Sequence, residues 1–166
     1  MATVRKAEVE WIGGFMDGEG KILSTTSGAL PELEVTWMSR TDEEEGKTSP
    51  EELLAAAHAS CFAMQFTSGL VGSGWEPEEM QISCEVAFEV GLGVVSSALT
   101  ARVTVDGLTD DQIYEIAQRA KIMCPISRAL AGVDITLDLP DLVLTPDEDE
   151  DDEDGESEEV SAAAEE

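Results

Sequence analysis

Thr48-Ser-Pro-Glu-Glu-Leu-Leu-Ala-Ala-Ala-His-Ala-Ser-Cys-Phe-Ala-Met-Gln65 is the stretch around which the chain is organised. It reads as a helix with a well-marked start. Ser49 suits the N-cap, Pro50 suits the first helical position, and Glu52 completes a capping box three residues after Ser49. Glu51 and Glu52 place negative charge at the positive end of the helix dipole. Gly69, Gly72 and Gly74 supply the stop. Between these ends the residues are apolar almost all round, from Leu53 and Leu54 through Phe62 and Met64 to Phe66. A helix apolar on every side is expected to be buried. Within it sit His58, Ser60 and Cys61, polar or reactive groups that a plain core would not carry.

Outward from this helix, the N-terminal part reads as three strands. Glu8 to Ile12 puts Val9 and Trp11 on one face. Asp17-Gly18 signals a turn, and Lys21 to Thr26 is the second strand. Leu33 to Met38 is the third, followed by a polar loop from Ser39 to Ser49 that carries Arg40. Beyond the helix, Gln81 to Val90 alternates strictly, with Ile82, Cys84, Val86, Phe88 and Val90 on one side. Gly91 and Gly93 turn the chain into a partner strand, Leu99 to Val105. Thr109 and Gln112 form a second capping box, and Ile113, Ile116, Ala117 and Ala120 make the apolar stripe of the helix it opens. Pro125 must end or kink that helix near Cys124, and a short helix is expected from Pro125 to Ala131. Val133 to Leu139 is the last strand. Strands and helices are segregated, which places the chain in the α+β class.

Length and charge bound the rest. At 166 residues the chain suits one domain with a real core. No run of 18 apolar residues suggests a membrane span, and the N-terminus lacks the apolar segment of a signal peptide. A cytoplasmic protein is expected. Three cysteines do not resemble a secreted disulfide framework and point to thiol chemistry or core positions. Acidic residues number 37 against 9 basic, which argues against nucleic acid and anionic membranes as partners. The segment from Pro146 to Glu166 is read as a disordered acidic tail that follows a folded domain over 1–145. Two explanations of the charge compete, a tail effect and adaptation to a salt-rich cytoplasm. Acidic residues still outnumber basic ones more than twofold without the tail, which favours the second.

The Pro50-Glu-Glu-Leu start, the small-residue run and the Ala59-Ser-Cys-Phe centre resemble the signature helix of the osmotically inducible protein C (OsmC) and organic hydroperoxide resistance (Ohr) family. The Ala-His-Ala-Ser-Cys-Phe form is similar to the OsmC branch. A second motif, Cys124-Pro-Ile-Ser-Arg-Ala-Leu130, extends the resemblance, which runs from about Glu8 to Leu139. It implies an intertwined homodimer whose antiparallel sheets wrap around two central helices. It also implies a thiol peroxidase acting on organic hydroperoxides, re-reduced by an external dithiol that in this family includes lipoyl-bearing proteins.

The same resemblance assigns roles. Cys61 is the expected peroxidatic nucleophile, and Cys124 the resolving cysteine. Attack on peroxide needs a thiolate, whereas burial raises a thiol's pKa and the helix dipole fades within one turn. A nearby cation is therefore needed, and Arg40 is the candidate, oriented by bidentate pairing with Glu51. At the start of a helix opened by Pro125, Cys124 would be favoured as thiolate. Cys84 is read as core and His58 as a structural or supporting residue. One His with scattered Cys makes a poor metal set, and no cofactor is expected. Glu51 and Cys61 are too far apart along one helix to serve one site, so each site is expected to draw on two chains. The rival reading is a non-enzymatic, stress-related binding protein whose cysteines are core.

Overall fold

The computed structural model describes residues 2–42 and 46–144. The tail expected from Pro146 to Glu166 lies outside the described residues. Among the described residues, six strands form two three-stranded sheets, ordered β1-β2-β3 and β4-β5-β6. The first sheet consists of β1 (Ala7–Ile12), β2 (Glu19–Thr25) and β3 (Leu33–Thr36), paired antiparallel. Gly20 stands opposite both Trp11 and Val35 in the register. A Cβ there would come within 2.7 Å of each of those side chains, so only glycine lets them close over β2.

The third strand ends earlier than its alternation suggests. Leu33, Val35 and Trp37 read as one strand face, but the chain turns into a short helix, α1 (Trp37–Thr41). Thr36 caps it by accepting from the Ser39 N–H, and the Ser39 hydroxyl accepts from the Thr36 N–H. Buried Ser39 also donates to the Thr48 carbonyl, 3.1 Å away. The expected loop from Ser39 thus begins with a helical turn that carries Arg40.

The central helix α2 (Pro50–Gly72) begins where its signals lie, runs through Gly69 and ends at Gly72. Ser49 caps it by accepting from the Glu52 N–H and Pro50 is its first residue, but only this half of the expected capping box forms: the Glu52 carboxylate accepts from the Thr48 hydroxyl instead. Its buried residues are Glu51, His58, Phe62, Phe66 and Leu70, a single face at helical spacing. Burial on every side is not attained within one chain: Met64 is 68% and Val71 48% exposed. β4, α3 and α4 pack against α2, and the residues it buries lie on one face.

The second sheet pairs β4 (Glu79–Glu89) with β5 (Gly93–Thr104) in a long antiparallel hairpin. The β4 alternation holds as read, apart from Val90, which lies beyond the strand and is exposed. The partner strand starts six residues before Leu99 and takes in Ser96 and Ser97. β6 (Asp134–Asp138) joins β5 in parallel. The intervening helices α3 (Asp110–Met123) and α4 (Pro125–Ala129) form the crossover that a parallel pairing requires. α3 carries the capping box of Thr109 and Gln112, and α4 is shorter by two residues than expected. Phe62, Phe66, Leu70, Leu99, Ala101, Ile113, Ala117, Ala120 and Leu139 build the core, with Cys124 among them.

Candidate active site

Cys61 and Cys124 come together where α2 meets α4. Cys61 projects from α2, partly buried, and Cys124 is fully buried at the break between α3 and α4. That break is forced by Pro125, which cannot continue α3 and instead opens α4 with Cys124 as its N-cap. Both cysteines are free thiols.

The two thiols are electrostatically unlike. Burial pushes the Cys61 thiol up; the Ile126 N–H works against this, while the neighbouring Cys124 adds to it. Burial also opposes charge on Cys124. There the Ser127 N–H, the Cys61 thiol, the Ser127 hydroxyl and the Ile126 N–H together outweigh it, and Cys124 falls below the ordinary thiol range. The Cys124 sulfur makes no regular capping hydrogen bond, so these groups act by lying around the sulfur rather than by ideal cap geometry.

Arg40 and Glu51 form the second half of the expected site, and they meet as expected. Arg40 Nε lies 3.0 and 3.1 Å from the two Glu51 oxygens, and its Nη2 lies 2.6 Å from Oε1. The carboxylate is nearly buried, with 9% of its side chain exposed, against 29% for Arg40. The guanidinium also stacks 3.9 Å above the Phe88 ring centroid, with Trp37 at 6.0 Å. This pair opens into a groove of about 370 Å³ that is also lined by Cys84, Glu85 and Val86. Cys61 does not line that groove. It lies ten residues beyond Glu51 on α2, about 15 Å along the axis at helical rise. The four expected residues therefore form two clusters in one chain, Cys61 with Cys124 and Arg40 with Glu51.

His58, read as a structural or supporting residue, has two partners that escaped the sequence reading, Ser97 and Ser127. His58 is fully buried and contacts Ser97 Oγ through Nδ1 at 2.7 Å and Ser127 Oγ through Nε2 at 2.8 Å. Cys84 touches the same network, 3.3 Å from Ser97 Oγ. It is therefore more than an apolar core residue. Ser127 lay within the second motif, but nothing local marked it as a partner of His58. Ser97 gave no signal at all. Among the described residues, no cluster of three His, Cys, Asp or Glu could hold a metal ion, and no helix is long and apolar enough to cross a membrane.

The family model described as OsmC-like protein matches residues 42–138. The chain is 34% identical over 141 residues to the peroxiredoxin OsmC of Escherichia coli K12, covering 83% of this chain and 96% of the relative. It is 26% identical over 144 residues to the organic hydroperoxide resistance protein OhrA of Bacillus subtilis, covering 81% and 95%. Among solved structures, an organic hydroperoxide resistance protein OsmC from Legionella pneumophila superposes with a TM-score of 0.61 at 27% identity. That match covers 81% of this chain and 96% of the other.

Proposed function

Since the chain belongs to the OsmC-like protein family, we propose that it is a thiol-dependent peroxidase that reduces organic hydroperoxides to alcohols. The observation that carries this reading is the meeting of Cys61 and Cys124, two free thiols on α2 and at the start of α4. The Cys61 thiolate attacks the terminal oxygen of the hydroperoxide. The O–O bond breaks, the departing alkoxide takes a proton to leave as alcohol, and Cys61 becomes a sulfenic acid. Cys124 then displaces water from that sulfenic acid, and a disulfide forms. An external dithiol returns both cysteines to thiols by exchange.

The first step needs Cys61 as thiolate, which its own chain disfavours. The missing cation is Arg40 of a second copy, held in place by that copy's Glu51. Two features support a homodimer. The uncovered flank of α2 carries exposed Met64 and Val71, and the first sheet leaves Val9, Trp11 and Ile12 exposed. A small three-stranded sheet open on this scale is a poor independent unit, and a partner's helix would cover it. The apolar groove of about 330 Å³ lined by Trp11, Phe15, Val35 and Trp37 beside Arg40 suits the alkyl part of an organic hydroperoxide better than hydrogen peroxide.

A peroxide-reduction assay with a small dithiol as donor tests the reading. Turnover of an organic hydroperoxide that is lost in Cys61→Ser is the expected result. Equal turnover by wild type and Cys61→Ser would overturn it.

A further inference from the structure

His58 stands in a line of hydrogen-bonding groups that crosses the core. Cys84 Sγ on β4 is 3.3 Å from Ser97 Oγ on β5 and a longer 3.8 Å from His58 Nδ1. Ser97 Oγ is 2.7 Å from Nδ1, and Nε2 is 2.8 Å from Ser127 Oγ on α4. Ser127 is the third residue of α4, whose N-cap is Cys124, and from there its hydroxyl favours the thiolate. His58, Ser97 and Ser127 are all buried. The titratable groups along the line are Cys84, His58 and Cys124. Glu85 acts on the first, and Cys61 faces the last.

Burial holds the His58 ring below its ordinary pKa, so it is neutral, with one N–H and one lone pair. Between two hydroxyls, such a ring allows two consistent arrangements. In the first, Cys84 donates to Ser97, Ser97 to Nδ1, Nε2–H to Ser127, and Ser127 to the Cys124 sulfur. In the second, every donor is reversed, and Cys124 must keep its proton to donate to Ser127. A protonated Cys84 fits either arrangement, since its sulfur can donate to Ser97 or accept from it. The Ser127 and Ile126 N–H groups favour charge at Cys124, and a thiolate there can only accept from Ser127. The Cys124 end of the line therefore selects the first arrangement.

We propose that His58 is a positioning residue for Cys124: through Ser127 it turns a hydroxyl proton onto the Cys124 sulfur and keeps that cysteine ready to close the disulfide. The inference rests on the peroxidase reading for its purpose, and on the hydrogen-bond line for its substance. In the step it serves, the Cys124 thiolate attacks the sulfur of the Cys61 sulfenic acid. The S–S bond forms, the S–O bond breaks, and hydroxide leaves to combine with the proton that Cys124 had released. Cys124 is oxidised and the Cys61 sulfur is reduced.

The test is a pH titration of Cys124 in the reduced full-length protein, followed by the carbon NMR shift of its Cβ. Ser127→Ala and His58→Leu should raise its midpoint by about one unit, roughly a tenfold loss of thiolate near neutral pH. Ser97→Ala should move it the same way by less. Its hydroxyl bonds only to His58 and Cys84 among the described residues, so such a shift travels through the ring. His58→Gln, which offers an acceptor and a donor on one amide, should restore much of the wild-type midpoint. In rapid mixing, disulfide closure should slow in Ser127→Ala while sulfenic acid formation keeps its rate. A Cys124 midpoint unmoved in folded Ser127→Ala and Ser97→Ala overturns the proposal. The titration needs no hydroperoxide. A wild-type protein whose Cys61 resists oxidation would thus remove the peroxidase reading and leave the titration to decide the role of His58.

Discussion

Arg40 grips Glu51 through Nε and Nη2, and the carboxylate that receives it stands about three turns before Cys61 on the same helix. This charge pair near the start of α2 is thus out of reach of the thiol that the proposed cycle makes the nucleophile. A two-fold partner with an antiparallel α2 would bring Arg40 and Glu51 of one chain to Cys61 of the other.

Mixed dimers follow directly from that placement. Cys61→Ser chains and Arg40→Ala chains should each be nearly inactive alone. Coexpressed, about half the dimers mix, and each mixed dimer holds one intact site, so activity should return to about a quarter of wild type. Activity that stays at the level of the parents, with mixed dimers confirmed by differential tags, would place Arg40 in the service of its own chain.

Arg40→Lys separates charge from geometry. Lysine keeps the positive charge but loses the fork that binds both Glu51 oxygens and the flat face that stacks on Phe88. Peroxidase kcat/KM should fall about tenfold or more, by analogy with the loss of one oriented charge-assisted contact. Steady-state kinetics at saturating reductant measures it; unchanged kcat/KM would mean that charge alone suffices.

Much of this arrangement was legible in the chain, for local reasons. The Ser49 cap, Pro50 and the closing glycines are short-range signals, and α2 obeys them at both ends. The β4 alternation is equally local. The turn at Thr36 was hidden because Leu33, Val35 and Trp37 continue a strand pattern, while a Ser39 side chain, rather than the usual Glu or Gln, completes the cap. Ser97 was illegible for a different reason. It lay between the glycine turn and the expected start of the strand at Leu99, and only the histidine brought in by α2 makes it a buried partner. The same non-local packing makes Cys84, which does pack against the core, one end of a hydrogen-bond line as well.

Stability should depend on pH through Cys84. Burial, ahead of the opposing Ser97 contact, raises its thiol above the ordinary range. Between the unfolded and folded values the native state holds a proton that the unfolded state has lost. Stability is therefore complete below the unfolded value, about 8.5, and declines as pH rises beyond it. Chemical denaturation of the reduced protein at neutral and alkaline pH should show this loss, and Cys84→Ala should reduce it. The same decline in both proteins would assign the effect to other groups.

The charge of the chain makes a separate prediction. Acidic residues far outnumber basic ones even without 146–166. A protein truncated before Pro146 should still gain thermal stability as salt rises, because screening weakens repulsion between surface carboxylates. A truncated protein whose melting temperature ignores salt would place the whole effect in the tail.

The most direct measurement is of the cysteines themselves. The reduced protein is treated with one equivalent of an organic hydroperoxide, and its bridges are mapped by peptide mass spectrometry. The expected product is an intramolecular Cys61–Cys124 disulfide with Cys84 left as a free thiol. A bridge to Cys84, or a Cys61 sulfenic acid that persists beside a reduced Cys124, would contradict the proposed cycle.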